Sequence, residues 1–123
     1  MVTIVTDVEL KEGAERKWDA VMRERMTEAR KHRGWVGGQL LRSEEDPNKR
    51  VIVGTWKARA DWETWHKDPR FADTRRQLDD LVNRPAEHWW HDVVLDVRSG
   101  GAAAAGTPAS RAGAKRPAKK RRA

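Results

Sequence analysis

Trp35-Val36-Gly37-Gly38-Gln39-Leu40-Leu41-Arg42 and Arg50-Val51-Ile52-Val53-Gly54-Thr55-Trp56 read as two strands. Between them, Glu44-Glu45-Asp46-Pro47-Asn48 is a turn, because Asp, Asn and Pro favour the reversal geometry that apolar strand formers resist. Gly37 and Gly38 predict a bulge, or a close approach of another group to the backbone, because a strand interior gains nothing from a missing side chain.

Each strand of this central hairpin is flanked by a helix. Upstream, Ala14, Trp18, Val21, Met22, Met26 and Ala29 recur at helical spacing with charged residues between them. Lys31, His32 and Arg33 suit a helix C-terminus, with Gly34 as a left-handed stop. Downstream, Asp61 to Lys67 is a short helical piece carrying Trp62, Trp65 and His66. A second piece begins at Pro69, in the first turn that proline tolerates, and runs to about Asn83 with Phe71, Thr74, Leu78, Leu81 and Val82 inward. Pro85 ends it. Outside each helical region lies one more strand. Val2 to Leu10 alternates, with Ile4, Thr6, Val8 and Leu10 on one face, and His88 to Val97 forms the last strand. The order β-α-β-β-α-β predicts an α+β, ferredoxin-like domain over residues 1–98.

Both faces of the predicted sheet are apolar. Val51 and Val53 oppose Ile52 and Trp56 on the third strand; Trp89, Val93, Leu95 and Val97 oppose Trp90 and Val94 on the fourth. Helices from one chain cover one face only, and an uncovered row at Trp90 would leave a large apolar patch in water. A second copy of the sheet is the simplest cover, so the pattern predicts a homodimer in which two sheets close into an α+β barrel.

Charge separates the domain from the C-terminal segment. The chain has 26 Lys and Arg against 19 Asp and Glu, yet seven of the cations and none of the acids lie beyond Ser99, leaving the preceding residues neutral. The positive charge therefore belongs to residues 99–123 and says nothing about the domain's ligand. This Ala-, Gly- and Pro-rich segment has few apolar side chains to offset ordering entropy and is expected to be a disordered basic tail. Lys115, Arg116, Lys119, Lys120, Arg121 and Arg122 could neutralise nucleic-acid phosphates without sequence preference; a solubilising tail or contact with another anionic surface are the alternatives. The absence of cysteine excludes disulfides and thiolate metal sites and fits a cytoplasmic location. No apolar run approaches a membrane span, and the first residues lack the features of a signal peptide. His88 and His91, three apart on a strand, point to opposite faces, so no metal site is expected from them.

The run Gly34 to Ser43, the turn Asp46-Pro47-Asn48, the strand Val51 to Trp56, and then Trp62, Trp65, Asp68-Pro69 and Phe71 together resemble the antibiotic biosynthesis monooxygenase domain family. The resemblance covers roughly Val2 to Val97. It implies a dimeric α+β barrel with a ligand pocket between sheet and helices in each subunit. Some members oxidise polycyclic aromatic substrates with O₂ and neither metal nor flavin, while others bind and degrade haem.

Cofactor-free oxygenation needs a substrate that can become an electron-rich anion, and a protein that supplies a dry pocket, a proton acceptor and donors to the oxyanion. In the family an Asn, a Trp, tyrosines and an Arg are associated with this work. Trp65 matches the Trp, either to position a ring or simply to pack. The chain has no tyrosine, so the tyrosine roles pass to no residue here. His66 is the candidate base, with a solvated helix position as its alternative. The resemblance places Thr6, Met22, Met26, Phe71 and Thr74 around the ligand beside Trp65. Met22 and Met26 share a helix face and suit a planar aromatic, though either could equally fill core; Arg25 lies at the edge of that stripe and could meet an anionic group, with a solvated position as its alternative. Haem-degrading members use an Asn on the first strand and a His after the Trp, where this chain has Thr6 and Thr74, poor iron ligands. The expected activity is therefore a cofactor-independent monooxygenase acting on a small aromatic or quinol-like substrate. The alternative is a non-catalytic ligand-binding or regulatory dimer of the same fold.

Overall fold

Alternation in the first strand decides which way the sheet faces. In the computed structural model, which describes residues 1–100, β1 (Val2–Glu9) buries Ile4, Thr6 and Val8 and leaves the residues between them half-buried. β3 (Lys49–Trp56) pairs antiparallel with β1 in the register Val5↔Val53, so Arg50, Ile52, Gly54 and Trp56 share the face of Ile4. β2 (Trp35–Arg42) lies antiparallel on the far side of β3, and β4 (Glu87–Asp92) lies beyond β1, giving the sheet order β2-β3-β1-β4. Three helices complete the element order: α1 (Glu15–Ala29) after β1, then α2 (Arg59–Trp65) and α3 (Pro69–Asp79) after β3. This is the α+β ferredoxin-like fold with four antiparallel strands. The basic residues Lys115 to Arg122, and the disorder and nucleic-acid contacts expected of them, lie outside the described residues.

Val2–His91 is one compact unit; Met1 and, among the described residues, those from Asp92 to Gly100 belong to a second, in which the Val93 N–H donates to the Met1 carbonyl at 3.0 Å. The last strand is thus shorter than the expected His88–Val97. β1 begins at Val2, so it offers no further partner past that point, and Val94 and Val97 are exposed. The helix expected to reach Asn83 stops at Asp79, because Leu81 and Val82 are drawn off to the end of β1. The Lys11 N–H donates to the Leu81 carbonyl at 2.8 Å, and Leu10 bridges Val82. Likewise α1 ends at Ala29, short of the cations assigned to its end. His32 is not a cap: its Nε2 lies 2.9 Å from the Asp68 carboxylate, whose other oxygen accepts the Arg70 N–H and caps α3.

Arg50 fastens the helices to the sheet. Its side chain is 2% exposed, and its guanidinium forks onto Asp19 of α1 at 2.8 and 2.9 Å, with Glu15 at 3.7 Å. The remaining donors reach the carbonyls of Pro47 and Lys49. A buried cation of this kind is tolerable because its hydrogen bonds are made to charged and carbonyl acceptors.

The glycines before and within β2 have separate reasons. Gly34 has φ +89°, and a Cβ there would overlap the side chain of Asp61. Gly34→Ala therefore combines left-handed strain with a clash and should cost about 2–4 kcal/mol, read as a lowered urea midpoint. Gly38 keeps space for others: a Cβ would sit 2.7 Å from the Trp35 ring and 2.8 Å from the Met26 methyl. The register shifts between Trp35 and Gly37, so both devices foreseen for Gly37–Gly38, the bulge and the close approach, occur.

The helices leave the other sheet face open. Across it run Leu41, Val51 and Asp7 in one row and Gln39, Val53 and Val5 in the next. Trp89 on β4 is 49% exposed and Leu41 44%. The exposed tryptophan is thus Trp89 and not Trp90, which turns to the helical side and meets Trp62 edge-on at 4.8 Å. No helix among the described residues is long and apolar enough to cross a membrane.

Candidate functional site

The interior is not one continuous core. One cluster is mainly aliphatic: Val8, Leu10, Ala14, Val21, Met22 and Leu78 packed around Trp18. The other is mainly aromatic: Trp56, Trp65 and Phe71 with Ala29, flanked by Trp35 and Trp62. A cavity of about 820 Å³ draws its walls from both, bounded by the sheet on one side and the three helices on the other. That volume is in the range of pockets that enclose a small organic ligand.

Thr6, Met22, Met26, Trp65, His66 and Phe71 all line it. Trp65 is 3% exposed and holds the aromatic wall, edge-on to Phe71 at 5.5 Å and packed on His32 at 4.7 Å. Thr6 on β1 faces in, its hydroxyl 3.0 Å from Nδ1 of His88. Thr74 does not line the cavity. Its hydroxyl donates to the Phe71 carbonyl at 2.8 Å and accepts from Nε of Arg25 at 2.9 Å, so it acts from behind, as an anchor for the arginine.

Of the two readings of Arg25, the structure shows the inward one. Instead of pointing to solvent it folds inward, with its guanidinium 4.1 Å from the centre of the Phe71 ring. Burial, and secondly the charge of Arg75, lower its pKa to about 10, so it remains a cation at neutral pH. The sequence held a signal for this: Phe71 and Thr74, one helical turn apart on α3, offer a ring face and a hydroxyl side by side.

His66 caps the end of α2 and lies between two rings, 3.6 Å from Trp62 and 3.9 Å from Phe71 by centroid. Its Nδ1 sits 3.1 Å from the Trp62 carbonyl. A carbonyl only accepts, so Nδ1 carries the proton, and the neutral ring presents its lone pair at Nε2. Desolvation is the main cause that lowers its pKa to about 4; Arg25, His88 and Arg75 push the same way, against the Trp62 carbonyl. His88 is lowered too, by burial and then by Arg75. At pH 7 the site therefore holds neutral imidazoles beside a permanent cation.

The shift of His66 has a consequence for stability. The unfolded chain takes up a proton near pH 6.5, the folded chain only near 4, so stability is full above 6.5 and falls between those values. By pH 5 the loss assigned to His66 is about 2 kcal/mol. Urea titrations at pH 7.5 and 5 should show His66→Phe losing less stability than the wild type by roughly that amount. An equal loss in both proteins would contradict the buried neutral ring.

Among the described residues no group of three His, Asp or Glu is placed to hold a metal ion. Thr74, at the position of the haem ligand, has its hydroxyl committed to a carbonyl.

The model of the family described as antibiotic biosynthesis monooxygenase matches residues 1–77. Among solved structures, a candidate antibiotic biosynthesis monooxygenase from Nitrosomonas europaea superposes with TM-score 0.73 at 15% identity, over 76% of this chain and 89% of that one. SnoaB, a cofactor-independent oxygenase from Streptomyces nogalater, gives 0.69 at 22% identity, over 75% and 91%. A conserved protein from Methanosarcina mazei gives 0.70 at 13%, over 73% and 89%. At these identities the superpositions establish the shared fold. A search of curated proteins finds no match.

Proposed function

The chain belongs to the antibiotic biosynthesis monooxygenase family, and from that premise we propose that it is a cofactor-independent monooxygenase of a small aromatic or quinol-like substrate. The observation that carries this reading is the neutral imidazole of His66, its Nε2 lone pair unprotonated, in the same aromatic-walled cavity as the half-buried cation of Arg25.

Trp65 and Phe71 take the substrate ring, and Met22 and Met26 adapt to its far side. His66 Nε2 removes a proton from an activated carbon or hydroxyl, and the positive charge of Arg25 nearby favours the resulting anion. For a substrate acid of pKa near 10, transfer to a base of pKa about 4 is uphill by about 8 kcal/mol before Arg25 contributes. That equilibrium cost adds to the barrier of the O₂ step that follows, so the reading requires the positive charge of Arg25 to offset much of it. The anion gives one electron to O₂, the radical pair joins through a new C–O bond, and the imidazolium returns its proton to the peroxide. Loss of the remaining C–H proton breaks the O–O bond. One oxygen stays as a carbonyl and the other leaves as water, so the substrate itself supplies every electron.

The test is oxygen uptake with a panel of anthrones and quinols. Wild-type turnover should fall by at least about 10²-fold in His66→Phe, the usual scale for a lost proton acceptor. Binding without oxygen uptake across the panel would leave a ligand-binding or regulatory module in place of an enzyme.

We further propose that the open sheet face bearing Leu41, Val51, Val53, Val5 and Trp89 is covered by a second copy of the chain. A face to which every strand supplies apolar side chains, with Asp7 and Gln39 among them, suits the self-complementary contact of a two-fold dimer. Sedimentation should find a dimer at micromolar concentration, and Val53→Asp should shift it to monomer. A monomeric wild type would overturn the barrel.

A further inference from the structure

Two arginines line the cavity without an ion pair. Among the described residues, Arg25 and Arg75 have no carboxylate oxygen within 4.0 Å, whereas the third lining arginine, Arg84, is taken by Asp7 at 3.6 Å and Glu9 at 3.3 Å. Arg25 is positioned by its Nε on Thr74 and its guanidinium carbon over the Phe71 ring, which leaves its two terminal nitrogens for something else. The other titratable groups at this end are His66, His88 and Asp79. Burial first lowers the pKa of both histidines, with Arg25 and Arg75 adding to it at His66 and Arg75 at His88, and Asp79 is the one acid that acts on Arg25. With neutral imidazoles, two cations face one anion, and this end of the cavity carries an excess of about one positive charge.

A half-buried guanidinium without an ion-pair partner, such as Arg25, is partly desolvated in the ligand-free protein, so the site gains from an incoming anion. The guanidinium edge matches a carboxylate with two parallel hydrogen bonds, which a neutral amide cannot reproduce. Next to it the walls are rings: Phe71, Trp65, Trp62 and Trp56. We propose that the cavity binds an aromatic carboxylate, with the carboxylate on Arg25 and Arg75 and the ring against the Trp–Phe wall. This deepens the oxygenase reading by naming its substrate class, but the binding claim is tested without turnover.

The probes are 2-naphthoate and its neutral isostere 2-naphthamide, titrated against the full chain by quenching of tryptophan fluorescence at pH 7.5. Naphthoate should bind at least tenfold more tightly than the amide. Arg25→Met should abolish that preference, and Arg75→Gln, at an exposed helix position, should reduce it while leaving the fold intact. Equal affinity for the two probes, or a preference unchanged in both variants, overturns the proposal. Preference for the acid with no oxygen uptake by any hydroxylated naphthoate would retain this inference and remove the oxygenase. Turnover of neutral anthrones without acid preference would do the reverse.

Discussion

Alanine in place of Asp19 should cost the protein about 3 kcal/mol of stability, the lower end of the range for breaking a buried ion pair. The reason is what it leaves behind. Arg50 is almost wholly enclosed, and two of its guanidinium nitrogens end on the Asp19 oxygens. Those hydrogen bonds raise its pKa in the wild type, and a guanidinium keeps its proton even without them, so the side chain cannot escape by neutralising. Only Glu15, at 3.7 Å and partly exposed, is near enough to take over. Urea denaturation at pH 7 measures the loss. The double variant Asp19→Leu with Arg50→Met should recover most of it, because an apolar pair of similar volume leaves no stranded charge. A loss below about 1 kcal/mol for Asp19→Ala would mean that Glu15 suffices alone.

Trp65→Ala should be as severe, about 3–5 kcal/mol, since it removes a buried indole from the wall between Phe71 and His32. Its second effect tells a structural role from a site role. His66 owes its low pKa first to desolvation, and the wall is part of what keeps water away. In Trp65→Ala, the imidazole resonances of His66 should titrate nearer the ordinary value of 6.5. An unchanged midpoint near 4 in the folded variant would show that Trp65 packs the core without shaping the site.

The split between what the residues announced and what they concealed comes from the range of the forces involved. The strands at Val2 and Lys49 and the helix from Glu15 are written in local periodicity, and their inward faces came with them. The end of β4 was not local: it depends on where β1 starts, a fact outside the alternation of Trp89 to Val97. The same is true of α3, where Leu81 and Val82 keep helical spacing yet are pulled to Leu10. In the cavity, Thr6, Met22, Met26, Trp65, His66 and Phe71 were legible through the family pattern together with amphipathic placement. Arg25 was legible only as one of two readings, because charge alone argues for solvent, and only the ring of Phe71 and the hydroxyl of Thr74 on another helix decide for the interior. Thr74 was misassigned for the matching reason: its position is right, but its hydroxyl serves the backbone and the arginine.

The divided interior has a thermodynamic consequence. Two modest hydrophobic clusters that share a cavity between sheet and helices are coupled less strongly than a single packed mass would be. A guest that fills the space becomes their keystone. Its affinity should then appear as slower amide exchange in both clusters at once, including residues such as Leu10 that never touch it.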